Sequence, residues 1–296
     1  MNEIVGIVGL GIMGSAYATH LLKNGFQLVG YDANPERQKA MEALGMIGVD
    51  SPKEVALKCS RVITSLPSPG AFHQVMTGAK GLIEAQKPLI VADTCTLALS
   101  DKVQALGALA AVGITLLDCP VSGTGAQAVK GDLVFLASGE HAAFLKMEPI
   151  LQAIARKVHH LGEFGSGSKM KYVANLLVAI HNVSTAEAMA FGMKAGIAPE
   201  MIYEVLRESA ATSRIFEVRG PMMVANQYSE NVSATFVTMA KDLSIIKEYT
   251  QSIDCPTPLF SLASSIHSAA ISQGMKHWDT ASVCVVMERL CGLKRD

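Results

Sequence analysis

The chain has 296 residues, half of them hydrophobic and 17% charged, which is ample material for a large core and argues against disorder. A net charge of −1, with 25 basic against 26 acidic residues, lacks the electrostatic footprint of a nucleic-acid binder, so a small-molecule partner is expected. The length favours two domains over one.

The first apolar run, Ile4-Val-Gly-Ile-Val8, predicts a buried strand and leaves no room for a signal peptide. Gly9-Leu10-Gly11-Ile12-Met13-Gly14 follows at once, then a helix expected over roughly Met13 to Asn24 and a strand over Leu28–Tyr31 that closes on Asp32. A strand, a G-x-G-x-x-G turn, a helix and an acid 18 residues past the last glycine form the fingerprint of a dinucleotide-binding βαβ unit. Gly9 permits the tight turn, Gly11 lets a pyrophosphate approach the backbone, and Gly14 lets the helix pack close to the sheet. The helix start then offers unpaired N–H groups and the positive end of its dipole to the phosphates. A carboxylate at Asp32 suits the two ribose hydroxyls of NAD. It would meet the 2′-phosphate of NADP as a like charge, at up to about 4 kcal/mol for an effective dielectric near 20. Arg37 is expected to point off its helix, so NAD is favoured over NADP.

Further apolar runs predict strands at Val62–Ser65, Leu89–Ala92, Ile114–Leu117, Leu133–Ala137 and Val158–Leu161, with helices at Pro35–Leu44, Leu99–Ala111 and Ala142–Ala155 between them. Most runs are apolar throughout, as in a parallel sheet covered on both faces. After Gly165-Ser-Gly167 the rhythm changes. Ser168 to about Ala195 reads as one long helix, followed by helices at Pro199–Ser209, Arg214–Met223, Thr235–Gln251, Leu259–Gln273 and Thr280–Cys291. The expected architecture is an α/β dinucleotide-binding domain of the Rossmann type over residues 1–164 and an all-helical domain over 165–296, joined by the long helix. Uncharged stretches such as Val103–Leu117 and Tyr172–Ala186 are about 15 residues long, short of the ~20 that span a bilayer.

Lys171 and Asn175 stand four apart on that helix and so share a face. A lysine desolvated toward neutral pKa shuttles a proton, and a neighbouring amide holds a hydroxyl or carbonyl oxygen in line. On spacing alone, Lys171 reads as one more solvated lysine with Lys169 beside it, since most helix lysines are exposed. Asp118-Cys-Pro-Val-Ser122-Gly123-Thr124-Gly125 ends a strand in a small-residue turn, which reads either as a plain connection or as a nest of N–H groups for a carboxylate. Leu66, Pro67 and Thr96 end two more strands on the same edge. The six cysteines and eight histidines show no metal-ligand spacing, so reduced thiols and no structural metal are expected.

Four segments in order resemble the β-hydroxyacid dehydrogenase family, over essentially the whole chain. They are Gly9-Leu-Gly-Ile-Met-Gly-Ser-Ala-Tyr-Ala-Thr-His-Leu-Leu-Lys-Asn-Gly25, Asp118 to Leu133, Gly165-Ser-Gly-Ser-Lys-Met-Lys-Tyr-Val-Ala-Asn175, and Phe236 to Lys241-Asp-Leu243. The resemblance implies that Lys171, and not Lys169, is the general acid/base, that Asn175 orients substrate, and that Ser122, Gly123 and Thr124 hold its carboxylate. It implies that Leu66, Pro67 and Thr96 line the nicotinamide side and that Lys241 reaches the cofactor. Two departures stand out: Thr124 replaces a glycine usual in the family, and Ala71 replaces an asparagine common there. The implied activity is hydride transfer between NAD and a short β-hydroxy acid in a cytoplasmic homodimer or homotetramer. An imine, a sulfonated or phosphorylated hydroxy compound, or a non-catalytic nucleotide-binding role stands as the alternative.

Overall fold

The computed structural model describes residues 4–230 and 232–295. In chain order the first part contains β1 (Ile4–Val8), α1 (Ile12–Lys23), β2 (Gln27–Tyr31), α2 (Pro35–Glu42), β3 (Ile47–Gly48), α3 (Pro52–Lys58), β4 (Arg61–Thr64), α4 (Pro69–Thr77), β5 (Leu89–Asp93), α5 (Leu99–Ala110) and β6 (Ile114–Asp118). These strands form one parallel sheet of order β3-β2-β1-β4-β5-β6. The order reverses between β1 and β4, and ligands of open α/β sheets bind at such a switch point, beyond the strand C-termini. Register makes that edge sharp: Val8 pairs with Tyr31 and Thr64, Thr64 with Asp93, and Asp93 with Asp118. The glycine turn, Asp32, Leu66, Thr96 and Asp118 therefore all emerge at one end.

Both faces of the sheet are covered. One carries Leu10, Tyr17, Leu21, Leu28, Phe135 and Phe144; the other carries Val55, Val62, Phe72, Met76, Leu82 and Leu116. Each fully buried aliphatic or aromatic side chain contributes about 1.5–3 kcal/mol relative to exposure.

The last strands depart from the expected single sheet. β7 (Val121–Ser122), α6 (Gly125–Val129), β8 (Val134–Ala137), α7 (His141–Gln152) and β9 (Lys157–His160) build a separate sheet of order β7-β8-β9, with β7 antiparallel to β8. Only Cys119 and Pro120 separate β6 from β7, too few for the crossover of a dozen or more residues that a parallel neighbour requires. The chain therefore folds back, and an isolated bridge between Asp118 and Ser138 stitches the two sheets together.

α8 (Ser166–Lys194) is a single 29-residue helix, and the chain divides within it into the units Met1–Lys171 and Tyr172–Asp296. By length and composition α8 would pass for a membrane span, although 44% of the qualifying window is buried inside the chain, as in a core helix. The second unit continues with α9 (Pro199–Arg207), α10 (Arg214–Ala225), α11 (Phe236–Ser252), α12 (Pro258–Ser272) and α13 (Val283–Leu290). Leu176, Val178 and Ile180 pack against one of its cores, and Met222 and Val224 against the other.

Buried polar groups are concentrated in that second unit around Asp279, which pairs with Arg219 and accepts from Ser233 N–H and Oγ. His267 lies nearby, only 2% exposed; its Nδ1 donates to the Ala263 carbonyl at 3.0 Å and its Nε2 has no partner among the described residues. Burial depresses its pKa, the Ala263 bond opposes that shift, and the Arg219 charge adds to it. The unfolded ring takes up its proton near pH ~6.5 while the folded ring resists until lower pH. The unfolded state therefore binds more protons as pH falls through that window, and stability drops there while staying flat above it. Urea unfolding at pH 7.5 and 5.5 should show this loss, and His267→Gln should reduce it; an unchanged loss in the variant would rule out His267 as the source.

Candidate active site

Gly9 has a φ of +91°, and a side chain there would run into the Ser65 carbonyl at 2.2 Å. At Gly14 an added Cβ would lie 1.8 Å from the Gly9 carbonyl oxygen, so α1 sits against the turn with no room for a methyl group. Gly11 is different. Its Cβ would meet only Arg37 Nη1, at 3.9 Å, so nothing within the chain requires glycine there. The backbone at Gly11 therefore lies open, as a cradle in which a ligand could approach it closely. Gly11 also caps α1 without any side-chain hydrogen bond, and the first turn carries no acid, so its N–H groups and dipole face that cradle uncompensated.

Asp32 is locked toward the same turn. Oδ2 accepts from Leu10 N–H at 2.6 Å and Oδ1 from Asn34 N–H at 2.7 Å. A carboxylate has about four acceptor positions, so two are left for hydroxyls. These features suit a dinucleotide: uncapped N–H groups for phosphates, an open glycine for close approach, and an anchored carboxylate for a ribose. Arg37 corrects the expectation made for it, since its guanidinium turns back to the glycine turn instead of pointing away. The nearest backbone there has no side chain to block it.

Leu66 lies against Gly9, with Cδ2 at 3.2 Å from the Cβ that a larger residue would carry, and its N–H donates to Cys95 Sγ at 3.1 Å. That bond brings Leu66 and Pro67 alongside the Thr94-Cys95-Thr96 segment. The Ser122–Thr124 turn is held beside α1: a Cβ on Gly125 would sit 2.5 Å from Ile12 Cγ2, and His20 Nε2 donates to the Ala128 and Val129 carbonyls at 2.9 and 3.2 Å.

Thr124 is more occupied than its sequence position suggests. It caps α6 in a reciprocal box, its hydroxyl accepting from Gln127 N–H at 3.4 Å and its own N–H donating to Gln127 Oε1 at 3.0 Å. Gln127 Nε2 in turn donates to Asp132, which is bound by Arg156. A carboxylate nest in this turn therefore draws on Ser122 and Gly123 with the Thr124 N–H already engaged. Gln127 was not singled out from the sequence, although Thr124-x-x-Gln127 is the capping-box spacing.

Beneath these turns lies an ion cluster that sequence reading did not find. Lys102 Nζ, fully buried, is 2.9 Å from Asp93 Oδ2, 2.8 Å from Asp118 Oδ1 and 2.7 Å from the Cys95 carbonyl. Burial alone would depress its pKa, but Asp118 and Asp93 overcome that and hold the ammonium above the usual lysine value. Thr64 Oγ1 donates to Asp93, and Ser168 donates its N–H and Oγ to Asp118. The adjacent thiols of Cys95 and Cys119 are pushed well up by burial and then by the neighbouring carboxylates, so neither is a thiolate nucleophile.

On α8, Lys171 is buried at 9% exposure whereas Lys169 is exposed. In the second unit Asn175 Nδ2 donates to Asp242 Oδ2 at 2.8 Å, and Lys241 Nζ lies 3.3 Å from the other Asp242 oxygen. Asp242 thus joins two residues singled out from the sequence; the signal was its place in the Lys241-Asp-Leu243 segment. Among the described residues no group of three or more His, Cys, Asp and Glu could hold a metal ion.

Residues 4–162 match the profile described as the NAD binding domain of 6-phosphogluconate dehydrogenase, and residues 165–287 the NAD-binding profile of NADP-dependent 3-hydroxyisobutyrate dehydrogenase. The chain is 33% identical to L-threonate dehydrogenase of Cupriavidus necator, over 96% of this chain and 95% of that protein. It is 32% identical to mitochondrial 3-hydroxyisobutyrate dehydrogenase of Mus musculus, over 94% and 85%. The crystal structure of 3-hydroxyisobutyrate dehydrogenase from Salmonella typhimurium superposes with a TM-score of 0.84 at 31% identity, covering 96% of this chain and 99% of that one.

The contrast between two glycines is testable. Gly14→Ala should lower the thermal midpoint through its clash with the Gly9 carbonyl, by about 1–3 kcal/mol or more of stability. Gly11→Ala should leave the midpoint within a few degrees yet weaken NAD binding by about tenfold or more. Titration of NAD into a folded Gly11→Ala protein with unchanged affinity would show that the cradle is not used.

Proposed function

The chain belongs to the β-hydroxyacid dehydrogenase family, and on that premise we propose an NAD-dependent oxidoreductase that transfers hydride between nicotinamide and a short β-hydroxy acid or its semialdehyde. The observation that carries this reading is Lys171. It is the buried lysine of its turn, it lies three residues past the Ser168 anchor, and Asn175 lies one helical turn further on.

Bound at the glycine turn, the nicotinamide dinucleotide supplies the hydride acceptor for oxidation and the donor for reduction. Gly9, Leu10, Gly11, Ile12, Met13 and Gly14 hold its phosphates, Asp32 a ribose, and Leu66, Pro67, Thr96 and Lys241 its nicotinamide side. Lys171 Nζ takes the hydroxyl proton of the substrate in oxidation and returns it to the carbonyl oxygen in reduction. Asn175 orients that oxygen. Its bond to Asp242 uses one of the two amide N–H groups and fixes the plane of the side chain. Ser122 and Gly123 grip the substrate carboxylate, and Thr124 joins them by turning its hydroxyl hydrogen from Gln127 Oε1 to the carboxylate, since its N–H also serves Gln127. Holding both reactants in line supplies much of the rate.

NAD is favoured over NADP because Asp32 is anchored through both oxygens and stays where a 2′-phosphate would meet it. Arg37 offsets part of that repulsion. The relatives named for L-threonate and 3-hydroxyisobutyrate both act on hydroxy acids, which supports the substrate class. Exposed Phe191, Met201 and Val205 on the helical unit support a homodimer or homotetramer.

NADH formation from a panel that includes L-threonate and 3-hydroxyisobutyrate tests the activity. Lys171→Ala should lower kcat at least about a hundredfold while NAD affinity stays nearly unchanged; normal turnover in that variant removes the assignment. In the same assay kcat/KM should favour NAD over NADP by about tenfold or more, and Asp32→Ala should narrow the gap. A native preference for NADP overturns the cofactor reading.

A further inference from the structure

We propose that the buried cluster of Lys102, Asp93 and Asp118 is a positioning device that holds the first turn of α8, and with it Lys171, on the edge of the sheet. This rests on the reading of Lys171 as the proton carrier. None of the three residues needs to touch substrate or cofactor for the device to work.

Asp93 and Asp118 end adjacent strands in direct register, so two carboxylates stand side by side with no solvent. Such a pair persists only with a cation between them. Lys102 provides it: its ammonium donates to Asp118 Oδ1 and to the Cys95 carbonyl, and it stands 2.9 Å from Asp93 Oδ2 as an ion pair. The cluster keeps one negative charge in excess, and that excess is directed at the positive end of α8. Ser168 N–H donates to Asp118 Oδ2 at 2.7 Å and Ser168 Oγ to Oδ1 at 2.8 Å. Gly167 N–H donates to Ser138 Oγ at 2.9 Å, and that hydroxyl sits 3.3 Å from the same Asp118 oxygen. Backbone contact is just as close: a Cβ on Gly167 would lie 2.1 Å from the Leu136 carbonyl. Lys171 follows Ser168 by three residues, on the next turn of a rigid helix. A shift of about 1 Å in that anchor is passed on to the amine, and misplacement on that scale costs catalysis up to about a hundredfold. A buried ion cluster is poor at stabilising a fold compared with well-packed apolar side chains, whereas its hydrogen bonds are directional. Direction is what this cluster supplies.

Asp93→Asn and Asp118→Asn separate anchorage from charge balance, because each leaves Lys102 paired with one buried carboxylate. Two readouts are compared: hydrogen exchange of the amides at 166–171, and kcat with KM for NAD-linked oxidation of L-threonate and 3-hydroxyisobutyrate. Asp93→Asn should keep slow exchange and a kcat within about threefold of the parent. Asp118→Asn should speed exchange and lower kcat about tenfold or more, with NAD affinity unchanged. Equal behaviour of the two variants, or slow exchange in Asp118→Asn, overturns the proposal. If Asp118→Asn does not fold, Ser168→Ala carries the test without altering any charge, and parent-like exchange and kcat in it are equally fatal. Full turnover in Lys171→Ala would instead remove the proton-carrier reading, and the exchange comparison would still decide whether the cluster anchors α8.

Discussion

A single buried ammonium group ties together the strand ends that carry the candidate site of the first unit. Lys102 reaches from α5 into the space between the ends of β5 and β6, where parallel register has already forced Asp93 and Asp118 together. From there the contacts branch outward. Asp93 takes the Thr64 hydroxyl and so ties in the end of β4; Cys95 gives its carbonyl to Lys102 and its sulfur to Leu66 N–H; Asp118 takes Ser168 at the start of α8. Every segment that carries a candidate nicotinamide-side residue in this unit is therefore one or two hydrogen bonds from the same cation. Removing the Lys102 ammonium would leave two buried carboxylates without a counter-charge, at about 3–5 kcal/mol or more. The cation is thus the one member whose loss the cluster does not tolerate.

Above the cluster the dinucleotide turn follows a different logic. Two of its glycines are required by the chain's own backbone and one by nothing in the chain at all. The distinction separates what the fold needs from what a ligand needs, in a motif usually treated as one unit. Asp32 is a candidate for the ligand-facing part, and its two backbone hydrogen bonds also tie the β1–α1 turn to the β2–α2 turn.

Much of this was legible in the sequence, for reasons tied to particular residues. Strands buried on both faces announce themselves as unbroken apolar runs; all seven runs identified became strands within a residue or two, although β9, with two histidines, has no buried residue. The glycine turn was readable because its spacing is set by backbone geometry. β3 and β7 have two residues each and so no pattern to detect. α3 and α4 were passed over despite Ser51-Pro52 and Ser68-Pro69, where a serine N-cap followed by proline at N1 marks a helix start. The polar partners were the harder case. Lys102 sits in the first turn of α5 like any solvated lysine, and its partners lie 9 and 16 positions away in the chain. Gln127 carried a local signal, the capping-box spacing from Thr124, whereas Asp242 gains its role only once Asn175, 67 positions away, is folded against it. Pairing across sequence distance leaves no periodicity, so it becomes visible only in three dimensions.

α6 has five residues, far fewer than an isolated helix needs to persist in water. It survives because His20 donates to its last carbonyls while Ile12 fills the space beside Gly125 at its start. Both supports come from α1, the helix whose start carries the glycine turn. In the function proposed, the phosphate grip and the carboxylate grip would then be the jaws of a caliper mounted on one rod. Changes at Thr124 or Gln127 would reshape one jaw, while α1 would set the gauge and with it the length of molecule that fits between.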